Sequence, residues 1–343
     1  MAANGGFAQV PKHVDTSRAN PARCYDYWLG GSANFSVDRE LADEMIRREP
    51  NVVHTARENR SFLGRAVRWC VDNGITQFLD LGSGIPTVGN VHESAQQRDP
   101  SARVAYVDNE TVAVAHSQQL LSDNPRATVT SGDLREPGQV LSAPTVREVL
   151  DFDRPVALLA VMMLHYFQDD EVLISTLARY REALPAGSYL VLTHLTEDDP
   201  EMDMSAVADE SARSTHPAHP RTREQFRTLF EGTLKRLRSP NAVRRTGLSR
   251  RPCLSILVVV IHTDGAVMPE ASAPSTPPPS PEGGNLVMLL REVRRDIDDA
   301  TDRIPQGCYR SEEYNELADT FGQLSELLRR RALLRLVGEV GPF

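Results

Sequence analysis

Phe78-Leu79-Asp80-Leu81-Gly82-Ser83-Gly84-Ile85-Pro86-Thr87 is the stretch that decides the fold. An apolar strand ends in Asp80. A tight turn follows at Gly82-Ser83-Gly84, and Pro86 stands where a helix can begin. Glycine lets backbone approach a ligand closely and permits positive φ. Proline is preorganised for a first helical turn. Strand, glycine loop and helix together make a nucleotide-type cradle. Asp80 chooses among nucleotides. A carboxylate beside the loop repels the pyrophosphate of NAD. S-adenosylmethionine carries no phosphate and presents an ammonium and a sulfonium, so it suits this acid better.

The following residues continue the pattern. A helical stretch is expected over Pro86 to Arg98, with Val88, Val91 and Ala95 on one face. Arg103-Val104-Ala105-Tyr106-Val107-Asp108 reads as a second strand ending in an acid. An acid about 20 residues past the glycine turn is placed for the ribose hydroxyls, with Asn109 flanking the adenosine. Ala127-Thr128-Val129-Thr130 leads to Gly132-Asp133-Leu134. There Asp133 is placed to accept from an adenine amino group, and Leu134 to pack on the ring. Pro155 to Val161 is apolar throughout, as in a parallel strand buried on both faces. It leads to His165, Tyr166 and Phe167. Gly187 to Thr193 reads as the next strand. A lone Gly-x-Gly is often only a turn. Three acids at the C-terminal ends of successive strands are harder to explain so, because open α/β sheets bind ligands there.

The series resembles a class I S-adenosylmethionine-dependent methyltransferase. More narrowly, the chain resembles a bacterial methyltransferase family first catalogued as a domain of unknown function. The narrow match rests on the run Pro21 to Gly31 (Pro-Ala-Arg-Cys-Tyr-Asp-Tyr-Trp-Leu-Gly-Gly), with Asn34-Phe35, Asp38-Arg39 and Glu58-Asn59-Arg60. It rests also on Phe78 to Thr87 with Asn90-Val91-His92-Glu93, on Tyr106-Val107-Asp108-Asn109, on Asp133-Leu134-Arg135-Glu136-Pro137, and on Asp151 to Leu164. It covers residues 10 to 232. The resemblance implies a Rossmann-like α/β methyltransferase sheet with S-adenosylmethionine bound, and it supplies no acceptor. In the family-matching N-terminal segment, Tyr25, Tyr27 and Trp28 are placed either to close over the donor, with Gly30-Gly31 as hinge, or to staple helix onto sheet. Arg60 is a partner for the donor's carboxylate. His165 is the candidate general base, and the competing reading is a hydrogen-bonded structural histidine. His194, His216 and His219 are too dispersed for a metal site, and methyl transfer from a sulfonium demands no metal.

The formal net charge of -9 argues against generic nucleic-acid binding. Cys24, Cys70, Cys253 and Cys308 show no Cys-x-x-Cys pair or zinc spacing and read as reduced thiols, which points to the cytoplasm. No secretory signal is read at the N-terminus. The apolar run Ile256 to Ile261 is far short of the ~20 residues that span a bilayer.

The expected organisation has a flexible arm over 1–20, a methyltransferase domain over 21–265 with an N-terminal helical cover, a Pro-rich linker over 266–284, and a C-terminal helical hairpin over 285–343. Within the domain, Thr222 to Phe230 is a further helix and Leu254 to His262 a late strand. The basic run Lys235 to Arg251 reads as a solvated loop. The apolar stripe of 285–343 offers a surface to a second copy or a protein partner. The expected activity is methyl transfer to a small-molecule acceptor. The alternative is a non-catalytic S-adenosylmethionine-binding regulator or scaffold acting through the C-terminal helices.

Overall fold

The structure, a computed structural model, describes residues 14–87, 89–198, 202–234 and 256–262. The basic run 235–251, the linker and the hairpin lie outside them, as does Val88.

Before the sheet come α1 (Pro21–Trp28), α2 (Ser36–Arg48) and α3 (Val52–Asp72). Asn20 caps α1, its Oδ1 accepting from the Ala22 amide at 2.9 Å. Asp38 lies in the first turn of α2, and its Oδ2 accepts from the Phe35 amide at 2.8 Å. Each cap satisfies an amide that helix geometry leaves without a partner.

The strands are β1 (Gln77–Leu81), β2 (Arg103–Asp108), β3 (Ala127–Ser131), β4 (Ala157–Ala160), β5 (Tyr189–Leu195) and β6 (Ile256–His262). Their order is β3-β2-β1-β4-β5-β6. The first five are parallel, and β6 runs antiparallel to β5, with Leu190 opposite Ile261. The chain therefore winds outward from β1 in one direction, then returns and winds in the other. The crevice at that reversal is where such sheets bind ligands.

The sheet is buried on both faces. Leu79 and Leu81 of β1 join a core with Leu158, Leu164, Leu173 and Tyr180. Phe78 joins the opposite core with Phe62, Ala66, Val67, Val104 and Val191. Alternation along one strand thus sends neighbouring side chains to opposite layers. Each large apolar side chain so buried stabilises the fold by about 1.5–3 kcal/mol. By the same parity Asp80 belongs to the layer of α3.

The helix expected from Pro86 begins later, as α4 (Val91–Arg98). Gly89 has φ 64°, which a right-handed helix cannot contain. Asn90 and Glu93 then form a capping box, with the Asn90 amide donating to Glu93 Oε2 at 2.9 Å. Pro86 stays in the loop. The remaining helices are α5 (Thr111–Leu120), α6 (Pro137–Ser142), α7 (Pro144–Val149), α8 (Asp170–Ala183), α9 (Met204–Ser211) and α10 (Arg223–Leu234). No described helix is long and apolar enough to cross a membrane.

His194 on β5 is fully buried, stacked on Phe226 with ring centroids 4.5 Å apart. Neither ring nitrogen meets a hydrogen-bond partner among the described residues. Burial pulls its pKa down to about 2, with His165 and Arg221 adding repulsion. The unfolded chain binds that proton near 6.5. The neutral ring therefore contributes fully above pH 6.5, and stability is lost as pH falls from there toward the folded value. His194→Phe is expected to raise Tm more at pH 5 than at pH 8 in paired thermal melts. A difference independent of pH would assign the acid sensitivity elsewhere.

Candidate active site

One cavity of about 180 Å³ opens at the C-terminal ends of the strands. It gathers Asp80, Gly82, Ser83, Gly84, Asp108, Asn109, Asp133 and Leu134, residues spread over more than fifty positions of sequence. The glycine turn runs under it. Gly82 and Gly84 have φ of 71° and 67°. The Gly82 amide donates to Val107 O at 2.8 Å. A Cβ on Gly82 would collide with the side chain of Met163, so the position needs glycine twice over.

Asp108 organises this turn. Its Oδ2 accepts from the Gly84 amide at 2.7 Å, and its Oδ1 accepts from the Glu110 amide at 2.8 Å. Burial raises its pKa, and these amides offset only part of the rise. Asp80 is 4% exposed. Its carboxyl is lifted to about 7, chiefly by burial, with Arg60 opposing the rise and Asp108 adding to it. Arg60, on α3, lines the cavity and donates from Nη2 to Asn90 Oδ1 at 3.0 Å. A buried carboxylate and a buried guanidinium at one end of the cavity match a zwitterionic amino-acid terminus. Asp133 is paired with Arg135, whose Nε donates to both carboxylate oxygens at 3.0 Å. Burial raises the Asp133 pKa, but Arg135 outweighs it and holds the carboxyl below its usual value.

The cover supplies the other wall. Tyr25 and Trp28 line the cavity. Tyr27 does not. Its hydroxyl lies on the exposed side and donates to Asp43 Oδ1 at 3.0 Å, while its ring packs on the cluster of Leu41, Met45 and Val52. At Tyr27 neither the expected donor contact nor a staple onto the sheet is found, because the ring packs among the helices of the cover. The Gly30-Gly31 turn is pinned as well. Asp26 Oδ2 accepts from the Ala33 amide at 2.9 Å and from Asn34 Nδ2 at 2.8 Å, and a Cβ on Gly31 would strike that carboxylate.

A polar relay that the sequence did not reveal ties cover to sheet. The Tyr25 hydroxyl donates to Ala56 O at 2.8 Å, and Asn59 Nδ2 donates to the Tyr25 oxygen at 3.1 Å. Thr193 Oγ1 donates to Asn59 Oδ1 at 3.0 Å and accepts from the Met162 amide at 2.8 Å. Met162, just past β4, has φ 59°, the only positive φ of a non-glycine among the described residues. Such a conformation costs about 1–3 kcal/mol and persists where its surroundings hold it. The relay is that support, and the turn it fixes seats Met163 against Gly82.

His165 lines the cavity from a short 3₁₀ turn, Leu164–Tyr166. The buried Arg221 holds that turn. Its Nη2 pairs with Asp170 at 2.7 Å and donates to Phe167 O at 2.8 Å. The imidazole is 1% exposed, its Nδ1 has no hydrogen-bond partner among the described residues, and burial lowers its pKa to about 3. Its place fits a general base, but its basicity does not, since an efficient base titrates near the working pH. Among the described residues no group of His, Cys, Asp and Glu is arranged to hold a metal ion. Asn59, Met162, Met163, Met202 and Met204 also line the cavity. Asn59 stood within a quoted motif, but methionines carry no readable polar signal.

The sheet with its glycine turn and strand-end acids is the Rossmann-like arrangement of class I methyltransferases. Residues 7–246 match the S-adenosyl methyltransferase family, and the chain belongs to it. S-adenosylmethionine is therefore its cofactor. Among solved structures, a candidate methyltransferase from Thermobifida fusca YX is 39% identical, with a TM-score of 0.61, covering 66% of this chain and 84% of its own. A DUF574 family protein from Streptomyces avermitilis MA-4680 is 34% identical, with a TM-score of 0.64, covering 72% of this chain and 98% of its own. No curated protein matches.

Asp80→Asn is expected to raise Tm above pH 7, because the buried charge is removed, while weakening S-adenosylhomocysteine binding. The folded pKa of Asp80 lies above its unfolded value, so this carboxyl costs stability as pH rises toward and past 7. Thermal melts and calorimetry on the same samples check both signs. A lower Tm with intact binding would remove Asp80 from the site.

Proposed function

We propose that the chain transfers a methyl group from S-adenosylmethionine to a small-molecule acceptor, using the strand-end cavity as its active site. The observation that carries this reading is the meeting of Asp80, Asp108 and Asp133 with the Gly82–Gly84 turn in one cavity. The donor set suits the cofactor. Asp80 and Arg60 take the methionine end, Asp108 and Asn109 the ribose, and Asp133 with Leu134 the adenine. When bound, S-adenosylmethionine supplies an activated sulfonium methyl. The chain's own residues hold the donor, align it and exclude water.

Asp80 couples donor affinity to pH. Binding an ammonium favours the ionised carboxylate, so below about 7 the site must first release a proton. His165 contributes shape beyond the donor ligands and stays neutral through the working range. The reading therefore favours an acceptor that needs no strong base.

Calorimetry is expected to show S-adenosylmethionine and S-adenosylhomocysteine bound and NAD not bound. Asp108→Ala should weaken the donor by about 1–3 kcal/mol, the scale of a lost charge-assisted hydrogen bond. Between pH 8 and pH 6 donor affinity should fall, with proton release visible as a dependence on buffer ionisation heat. Transfer of labelled methyl from the donor into a small-molecule extract tests the reaction. Tight NAD binding without S-adenosylmethionine binding would sink the reading.

A further inference from the structure

The cavity has two chemically different halves. Every charged side chain that lines it belongs to the sheet edge or to the loops just after it, apart from Arg60, which faces Asp80. These are Arg60, Asp80, Asp108, Glu110, Asp133 and Arg135. The wall built by α1, α2, the start of α3, and α9 contributes no charged side chain among the described residues. It presents Trp28, Leu41, Met45, Val52, Met204 and Val207. Thr55 is there too, its Oγ1 donating to Met202 Sδ at 3.3 Å. The charges of these helices are turned elsewhere. Arg48 pairs with Glu210 at 2.9 Å, and Glu49 accepts from the Asp203 amide at 2.7 Å. Those two contacts clamp α2 to α9 and form no part of the cavity lining.

We infer that this second half is the acceptor chamber and that it takes an uncharged, mainly apolar small molecule. The inference rests on the donor reading above, which assigns the charged half to S-adenosylmethionine. A charged acceptor would lose its hydration among these side chains and gain no partner. An apolar one would gain by leaving water. Methionines suit such a role because their unbranched, polarizable side chains repack around ligands of differing shape. The neutral polar residues that also line the cavity, Asn20, Ser211 and Ser214, make their side-chain hydrogen bonds within the protein and so demand no charged partner from a ligand.

Two dyes of one skeleton separate the cases. N-phenyl-1-naphthylamine is neutral, and 8-anilinonaphthalene-1-sulfonate adds a sulfonate. On the full chain saturated with S-adenosylhomocysteine, the neutral dye is expected to bind at least tenfold more tightly by fluorescence titration. Val207→Lys on α9 and Met45→Lys on α2 should each weaken the neutral dye at least tenfold, with S-adenosylhomocysteine affinity unchanged within twofold. Equal binding of both dyes overturns the inference alone, as does neutral-dye binding that neither variant alters. Loss of S-adenosylhomocysteine binding in both variants also overturns it, because the chamber would then not be separable from the donor half. Failure of the unaltered chain to bind S-adenosylhomocysteine overturns the donor reading and this inference with it.

Discussion

The carboxylate of Asp108 is the joint on which the site depends. One oxygen takes the Gly84 amide and the other the Glu110 amide. Glu110 in turn accepts from the Ala113 amide at 2.7 Å at the start of α5, and its other oxygen faces Arg23 Nη1 at 3.4 Å. Arg23 reaches Asp38 at 2.9 Å, and Asp38 Oδ1 accepts from the Asn20 amide at 2.9 Å. A single line of polar contacts thus runs from the glycine loop to the first helix of the cover. Arg23 and Asp38 are 2% and 0% exposed. A buried pair is not in itself strong evidence for stability, but breaking one leaves an uncompensated charge at a cost of about 3–5 kcal/mol. The network is therefore better understood as fixing one arrangement than as adding stability.

The same low dielectric serves the donor end. Asp80 and Asp108 face a poor solvent for charge, which makes each amide and guanidinium aimed at them count for more than it would in water. Asp80 pays for this, being held near the edge of ionisation. Such a group is destabilising while alone and well matched once a cation arrives. Active sites commonly place perturbed groups in this way.

How much of this was legible beforehand varied with the signal. The central strands read well because each is a short apolar run between turn residues, and β1 carries both the run and the glycine turn. The gathering of Asp80, Asp108 and Asp133 followed from their equivalent strand-end positions. The start of α4 was misread because Pro86 is a good first residue in isolation, while the Gly89 conformation and the Asn90–Glu93 box depend on local competition. Tyr27 was misplaced because one helical turn puts Tyr25 inward and Tyr27 outward, and α1 is too short for its periodicity to settle which. His165 was located by its place after β4, yet its burial, which sets its basicity, depends on the distant segment of His219 and Arg221 and on His194 of β5. The Tyr25–Asn59–Thr193–Met162 relay includes a hydrogen bond between residues 134 positions apart, Asn59 and Thr193, and leaves no mark in any local pattern.

The distances along the chain between cover and sheet have a consequence for how the molecule comes together. The first helices are the first to be made, yet their fastenings are late. Arg18 donates to Ser214 O at 2.8 Å, Asn20 to Thr215 at 3.2 Å, and Asn59 waits for Thr193. Closing such long loops costs entropy before any contact rewards it. During synthesis the apolar cluster of α1, α2 and the start of α3 can close on itself early, since its members lie between Ala19 and Val53, while the polar ties of Arg18 and Asn20 wait until the chain has passed Thr215. The active-site roof is thus the first part of the described chain to emerge, and its ties to the Ser214–Thr215 segment form only after about two hundred further residues have been made.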